Sequence, residues 1–205
     1  MCDDDRVDAA ALYALFASVL VNVPDDGVRM RMERLIEAAG CDLPADAGEE
    51  CDLEQRFYNR FAIAVSPLYL PAIESCMLDV REGAGGLLEP GHAEGPRTTE
   101  VLACYRVYGF DHRALRGFKP LVDTMRPDQL PAELAFMAHL RHLEDMDDAK
   151  GRAAGRFAAE FLERHLLAWV PSLCASARQR GPADMYVRLI ESLHGWLEID
   201  ACRAG

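Results

Sequence analysis

His139 and His142 lie three residues apart, which makes them neighbours on a helix, and Glu133 and Glu144 stand nearby. Imidazole and carboxylate groups in this arrangement could hold a metal ion. Helical two-metal sites, however, take a Glu-x-x-His pair from each of two helices, and the chain has no second pair of that kind. Solvated or core-edge histidines are the plainer reading. His165 and His194, which fall near apolar faces, read equally well as hydrogen-bonded packing residues. No GxSxG elbow marks an activated nucleophile. Gly83, Gly85 and Gly86 lack the lysine, the hydroxyl and the preceding strand of a phosphate-cradling loop. The acidic pairs Glu49-Glu50 and Asp147-Asp148 read as solvated charges.

A different chemistry is offered by residues 58–75, where Tyr58-Asn59-Arg60-Phe61 is followed by Ser66-Pro67-Leu68-Tyr69-Leu70-Pro71-Ala72-Ile73-Glu74-Ser75. Two prolines stiffen the connection. Tyr69 and Ile73 supply apolar contact area, and Glu74 supplies a carboxylate for a cationic ligand. A turn between helices, packed on the core, is the competing reading, and composition alone favours it.

The elements that must position these residues are helices throughout. Val7, Ala10, Ala11, Leu15, Val19 and Leu20 recur at helical spacing until Pro24, which predicts a first helix over about 7–21. Val28, Met32, Leu35, Ile36 and Ala39 predict a second, ended by Gly40. A third contains Leu53, Phe57, Tyr58 and Phe61 and is expected to break near Ser66-Pro67. Glycines together with Pro90 and His92 mark a flexible connector near 81–97. A fourth pattern, from Thr98 with Val101, Leu102, Tyr105 and Val107, stops at Gly109. From about Asp128, one stripe of Leu130, Leu134 and Met137 and another of Phe136, Leu140 and Leu143 predict a central helix. Asp128 is placed to cap that helix, and Pro131 is tolerable in its first turn. Gly151 is expected to separate it from a helix with Phe157, Phe161, Leu162, Leu166 and Trp169. A last helix carries Tyr186, Leu189, Ile190, Leu193 and Leu197. No strand-like alternation competes, so the expected fold is an all-α, single-domain helical bundle.

The chain has 205 residues, half of them apolar, enough for one sizeable core. Its net charge of -12 argues against nucleic acid and anionic membranes as partners and favours a cationic one. The apolar run over 12–23 is too short to span a bilayer, so no integral membrane segment is expected. Acidic Met1-Cys2-Asp3-Asp4-Asp5 is unlike an export leader, which points to the cytoplasm. Seven cysteines without a CxxC pair suggest neither a zinc ribbon nor a disulfide framework, although Cys41 and Cys51 flank an acidic loop and could approach each other.

Two separated stretches resemble the TorD/DmsD/NarJ family of cytoplasmic chaperones that mature molybdenum-containing oxidoreductases. The first is Tyr58, Arg60 and Phe61, leading through Ser66-Pro67 to Pro71, Glu74 and Ser75, similar to that family's Y-x-R-L-F, G-P and P-P-W-E-S pattern. The second is Pro127-Asp128-Gln129-Leu130 followed by Glu133-Leu134-Ala135-Phe136-Met137-Ala138 and Leu140, similar to P-D-H-L-x-x-E-L-x-F-M-x-x-L. Tyr105, Gly109 and Phe110 before the second stretch, and Phe161-Leu162, His165-Leu166 and Trp169 after it, agree in order and spacing. Ser66 replaces a familiar glycine, Ile73 stands where an aromatic is common, and Gln129 occupies the usual histidine position.

The resemblance implies a chaperone without catalytic turnover and without a cofactor of its own. It would bind the N-terminal leader or tail of a molybdopterin-dependent oxidoreductase catalytic subunit and hold back export or assembly until cofactor insertion. The cofactor insertion machinery is a further possible partner, and a homodimer a possible state. Carried over residue by residue, Tyr69, Leu70, Pro71, Ile73, Glu74 and Ser75 would form the peptide surface, with Asp128 and Gln129 beside them. Glu74 and Asp128 could attract the guanidiniums of a twin-arginine leader, so removing either is expected to weaken binding with helical content nearly unchanged.

Overall fold

The computed structural model describes residues 8–44, 53–146 and 148–204. The readings made for the acidic N-terminus, Glu49-Glu50, Cys51 and Asp147 fall outside these residues. What is described is an all-α bundle with one small hairpin.

Helix α1 (Ala9–Val21) starts where the Asp8 carboxylate accepts the Ala11 N–H at 2.9 Å, and it buries Tyr13, Phe16, Val19 and Leu20. Asp25 caps α2 (Asp26–Ala38) in the same way, through the Val28 N–H at 2.7 Å. Just beyond it Gly40 takes a left-handed φ of 70°. Helix α3 (Leu53–Phe57) passes into a π turn, Tyr58–Ala62, closed by the Ile63 N–H on the Tyr58 carbonyl at 2.8 Å. Regular helix therefore ends at Ala62, earlier than the expected break at Ser66-Pro67. The wider turn sets Arg60 on the buried side, where its partners lie.

After α4 (Glu74–Leu78), strands β1 (Arg81–Glu82) and β2 (Leu88–Glu89) pair antiparallel. Gln179 accepts the Leu88 N–H at 2.7 Å and Arg180 donates to the Leu88 carbonyl at 2.8 Å, which fastens the hairpin to the bundle. Helix α5 (Pro96–Tyr108) stops at Gly109, whose φ is 67°. The short α6 (Lys119–Val122) precedes α7 (Leu130–Glu144). Helix α8 (Ala149–Phe161), a second π turn (Leu162–Leu166) and α9 (Leu167–Gln179) run end to end, and α10 (Met185–Ala204) returns along them.

The central position of α7 follows from its two apolar stripes. It packs against α1 on one side and α8 on another, burying Leu130, Leu134, Phe136, Met137 and Leu140. Helix α9 lies between α10 and α4. Two expectations need correction. Gly151 does not separate helices: it lies in the first turn of α8, where its N–H meets the Asp148 carboxylate at 2.7 Å. The chain needs glycine there for closeness, because a Cβ would stand 2.0 Å from the Met146 carbonyl oxygen. Nor does Asp128 cap α7: Gln129 holds the cap position without a side-chain bond, and the Asp128 carboxylate points elsewhere. No helix among the described residues is long and apolar enough to cross a membrane. The described cysteines, Cys41, Cys76, Cys104, Cys174 and Cys202, are free thiols.

Candidate functional site

The two stretches singled out in the sequence meet. The Glu74 N–H donates to the Asp128 carbonyl at 2.8 Å and the Leu130 N–H to the Ala72 carbonyl at 2.9 Å. These bonds bracket Ile73 and Gln129 as an isolated antiparallel pair. Facing residues of this type, bonded on either side but not to each other, bring their side chains closest together. Both are partly exposed, as is Tyr69, whereas Leu70, Pro71, Glu74, Ser75 and Asp128 are buried. The predicted residues thus divide into an accessible row of Tyr69, Ile73 and Gln129 and a set beneath that fixes it.

The fixing is polar. Ser75 donates its hydroxyl to Asp128 Oδ2 at 2.6 Å, and Arg126 Nε reaches Asp128 Oδ1 at 3.3 Å. The other end of that guanidinium binds the Ala93 carbonyl at 2.6 Å and the Thr98 hydroxyl at 2.9 Å, so one arginine ties the strip to the start of α5. Tyr105 donates to the Pro127 carbonyl at 2.7 Å. Gln129 Oε1 accepts the Arg126 N–H at 3.2 Å. Its amide NH2 then has no partner among the described residues.

Below lies a buried carboxylate pair. Glu74 receives His165 Nδ1 at 3.0 and 3.1 Å from its two oxygens, with Arg97 Nε at 3.7 Å. His165 comes from the π turn ahead of α9 and stacks on Phe161 with ring centroids 4.5 Å apart. Glu133 accepts the indole N–H of Trp169 at 3.1 Å on one oxygen, while its other oxygen has no donor among the described residues. Burial first, and then the charge of Glu74, push the Glu133 carboxyl well above the usual carboxylate range. The neutral, protonated form of Glu133 is thereby favoured over the carboxylate.

Residues 24–175 match the family described as nitrate reductase delta subunit. The chain belongs to that family. Membership in the delta-subunit family, which is of the NarJ/TorD type, carries the general role of a molybdoenzyme maturation chaperone, with a molybdoenzyme catalytic subunit as partner. No curated protein and no solved structure matches the chain.

In this delta-subunit member the four residues considered for a metal are not brought together. Glu133 faces Trp169, and Glu144 takes the Arg141 guanidinium at 2.7 Å. His139 Nε2 contacts the Tyr108 carbonyl at 3.1 Å, and His142 is exposed. Among the described residues no three His, Cys, Asp or Glu side chains converge as a metal site. His165, Arg97, Arg126 and Trp169, by contrast, support the site and were not assigned to it from sequence. The available signal was a polar residue on an otherwise apolar face, which for His165 suggested a buried hydrogen bond without naming its partner.

The raised Glu133 pKa has a definite sign in stability. The folded chain keeps a proton that the unfolded chain releases above about pH 4.3, so this contribution declines as pH rises from there through the folded pKa. Glu133→Gln keeps an acceptor for Trp169 and is uncharged at every pH. We expect it to flatten the decline and to gain about 1 kcal/mol at the alkaline end of the window, or roughly 2–4 °C in Tm. Parallel melting curves across pH for parent and variant measure this, and superimposable slopes would refute the proton-holding role.

Proposed function

We propose that the row formed by Tyr69, Ile73 and Gln129 receives the N-terminal leader or tail of a molybdopterin-dependent oxidoreductase catalytic subunit, acting in the cytoplasm to delay assembly or export until the cofactor is inserted. The observation that carries this reading is the Ile73–Gln129 pair, which makes one accessible strip from two stretches more than fifty positions apart. Tyr69 and Ile73 offer apolar contact, and the Gln129 NH2, without a partner among the described residues, can donate to a carbonyl of an extended peptide. Glu74 and Asp128 act from beneath as positioning residues. Both are fully buried and engaged by His165, Arg97, Ser75 and Arg126, so attraction of a cationic leader falls to the overall charge of -12. Ile73 and Gln129 are also the two positions at which the chain departs from the familiar aromatic and histidine. Their direct opposition makes this pair the natural place for a distinct client preference.

The test is co-purification with the encoded molybdoenzyme subunits, followed by calorimetric titration of the bound subunit's N-terminal peptide. The Tyr69→Ala/Ile73→Ala variant should bind about tenfold more weakly or worse, with its circular dichroism unchanged. Absence of binding to any encoded molybdoenzyme subunit, or parental affinity in the double variant, would rule the proposal out.

A further inference from the structure

A cleft lined by basic side chains lies beside α6. The turn His112–Ala114, the loop after it and the segment from Lys119 to Met125 enclose a cleft of about 750 Å³, the size of a small-molecule site. Arg113, Arg116 and Lys119 line it, together with Asp123 and Thr124. The side chains of Arg113 and Arg116 are exposed and make no ion pair or hydrogen bond among the described residues. Lys119 is shared with Asp123 at 2.7 Å, so the single carboxylate in the lining is already occupied. Two guanidiniums without a partner among the described residues and a partly neutralised ammonium therefore line one cleft in a chain whose net charge is -12.

The backbone of this cleft is fastened in place. Phe118 N–H donates to the Val21 carbonyl, the last residue of α1, at 2.7 Å. Gly117 packs so closely there that a Cβ would stand 2.6 Å from the same oxygen. The Thr124 hydroxyl donates to the Pro120 carbonyl at 2.9 Å, and Met125 N–H to the Val122 carbonyl at 3.2 Å. The rim is thus held by main-chain contacts, and the arginines project from a fixed frame.

We propose that this cleft binds a compact polyanion bearing a phosphate group. Guanidinium forks pair with phosphate oxygens in bidentate fashion and persist as cations at any pH of interest. The acidic remainder of the molecule selects for compactness. Screening confines the attraction to about 10 Å at ordinary ionic strength, so a small ligand feels the two arginines, whereas an extended acidic protein would also meet the surrounding negative charge. No aromatic side chain lines the cleft, so recognition rests on charge and hydrogen bonding without stacking of a base.

The test titrates the full chain with inorganic pyrophosphate by calorimetry at low salt, with citrate as the carboxylate comparison. We expect saturable one-site binding that falls about tenfold or more in Arg113→Ala/Arg116→Ala, weakens with added salt, and strengthens in Asp123→Asn, which releases Lys119. Both arginines are exposed, so the double variant should melt with the parent. Unsaturable heats, or parental affinity in the double variant, would overturn the site. Citrate binding as tightly as pyrophosphate would overturn the assignment to phosphate. Titration of the client peptide into the same double variant separates this site from the strip at Ile73 and Gln129, because that affinity should not change.

Discussion

Arg60→Ala should cost about 3–5 kcal/mol of stability, visible as a loss on the order of 10 °C in Tm. Arg60 is fully buried, and its Nε and Nη2 both reach Asp184 Oδ2, at 2.9 and 2.8 Å. The remaining donors serve the carbonyls of Leu68, Arg180 and Pro182 at 3.3–3.5 Å. Asp184 Oδ1 in turn accepts the N–H groups of Tyr186 and Val187 at the start of α10. Truncation would leave Asp184 buried with its charge only partly met by Arg56, 3.3 Å away, and would take the arginine donor from the carbonyls of Leu68, Arg180 and Pro182, of which Pro182 keeps the Asp184 N–H at 2.8 Å. Arg60→Lys should recover little, because one ammonium cannot span an arc of four acceptors. Denaturant unfolding monitored at both tryptophans measures the loss. A cost below about 1 kcal/mol would show that water replaces the guanidinium and that the pair is incidental.

This role shows how differently the fold and the site were written in the sequence. Helix periods were legible because each depends on neighbours three and four positions away: α1, α2, α5, α7 and α10 fall close to their apolar stripes, and Gly40 and Gly109 end helices as their left-handed φ values require. The π turns were not legible. Tyr58–Ala62 and Leu162–Leu166 each turn a polar side chain inward, Arg60 to Asp184 and His165 to Glu74, and those partners lie 124 and 91 positions away. Local propensity contains no trace of such a pull. The misassigned cap has the same origin: Asp128 is a good capping residue by type, but the Ile73–Gln129 bridge takes up its main chain and Ser75 and Arg126 take up its carboxylate. The candidate strip could be located from motif spacing. Its division into exposed and buried members could not, since Glu74 and Ile73 are adjacent in sequence and opposite in environment.

That division leads to the second large effect. Asp128→Ala should cost about 2–3 kcal/mol, because it strips a buried partner from the Ser75 hydroxyl and from the Arg126 guanidinium together. It should also weaken client binding about tenfold or more, since the carboxylate, held by Ser75 and Arg126, fixes the segment whose main chain sets Ile73 against Gln129. Two mechanisms would give this result, and Asp128→Asn separates them. If Asp128 met a leader guanidinium directly, the neutral amide would lose as much affinity as alanine, and the parent's affinity would fall steeply with salt. If Asp128 acts through position, asparagine keeps an oxygen for Ser75 and should retain most of the binding at some cost in stability from the weakened Arg126 contact. The carboxylate is fully buried and already satisfied, which favours the second outcome. Equal loss in both variants would return Asp128 to the contact surface and require the strip to open before the client binds.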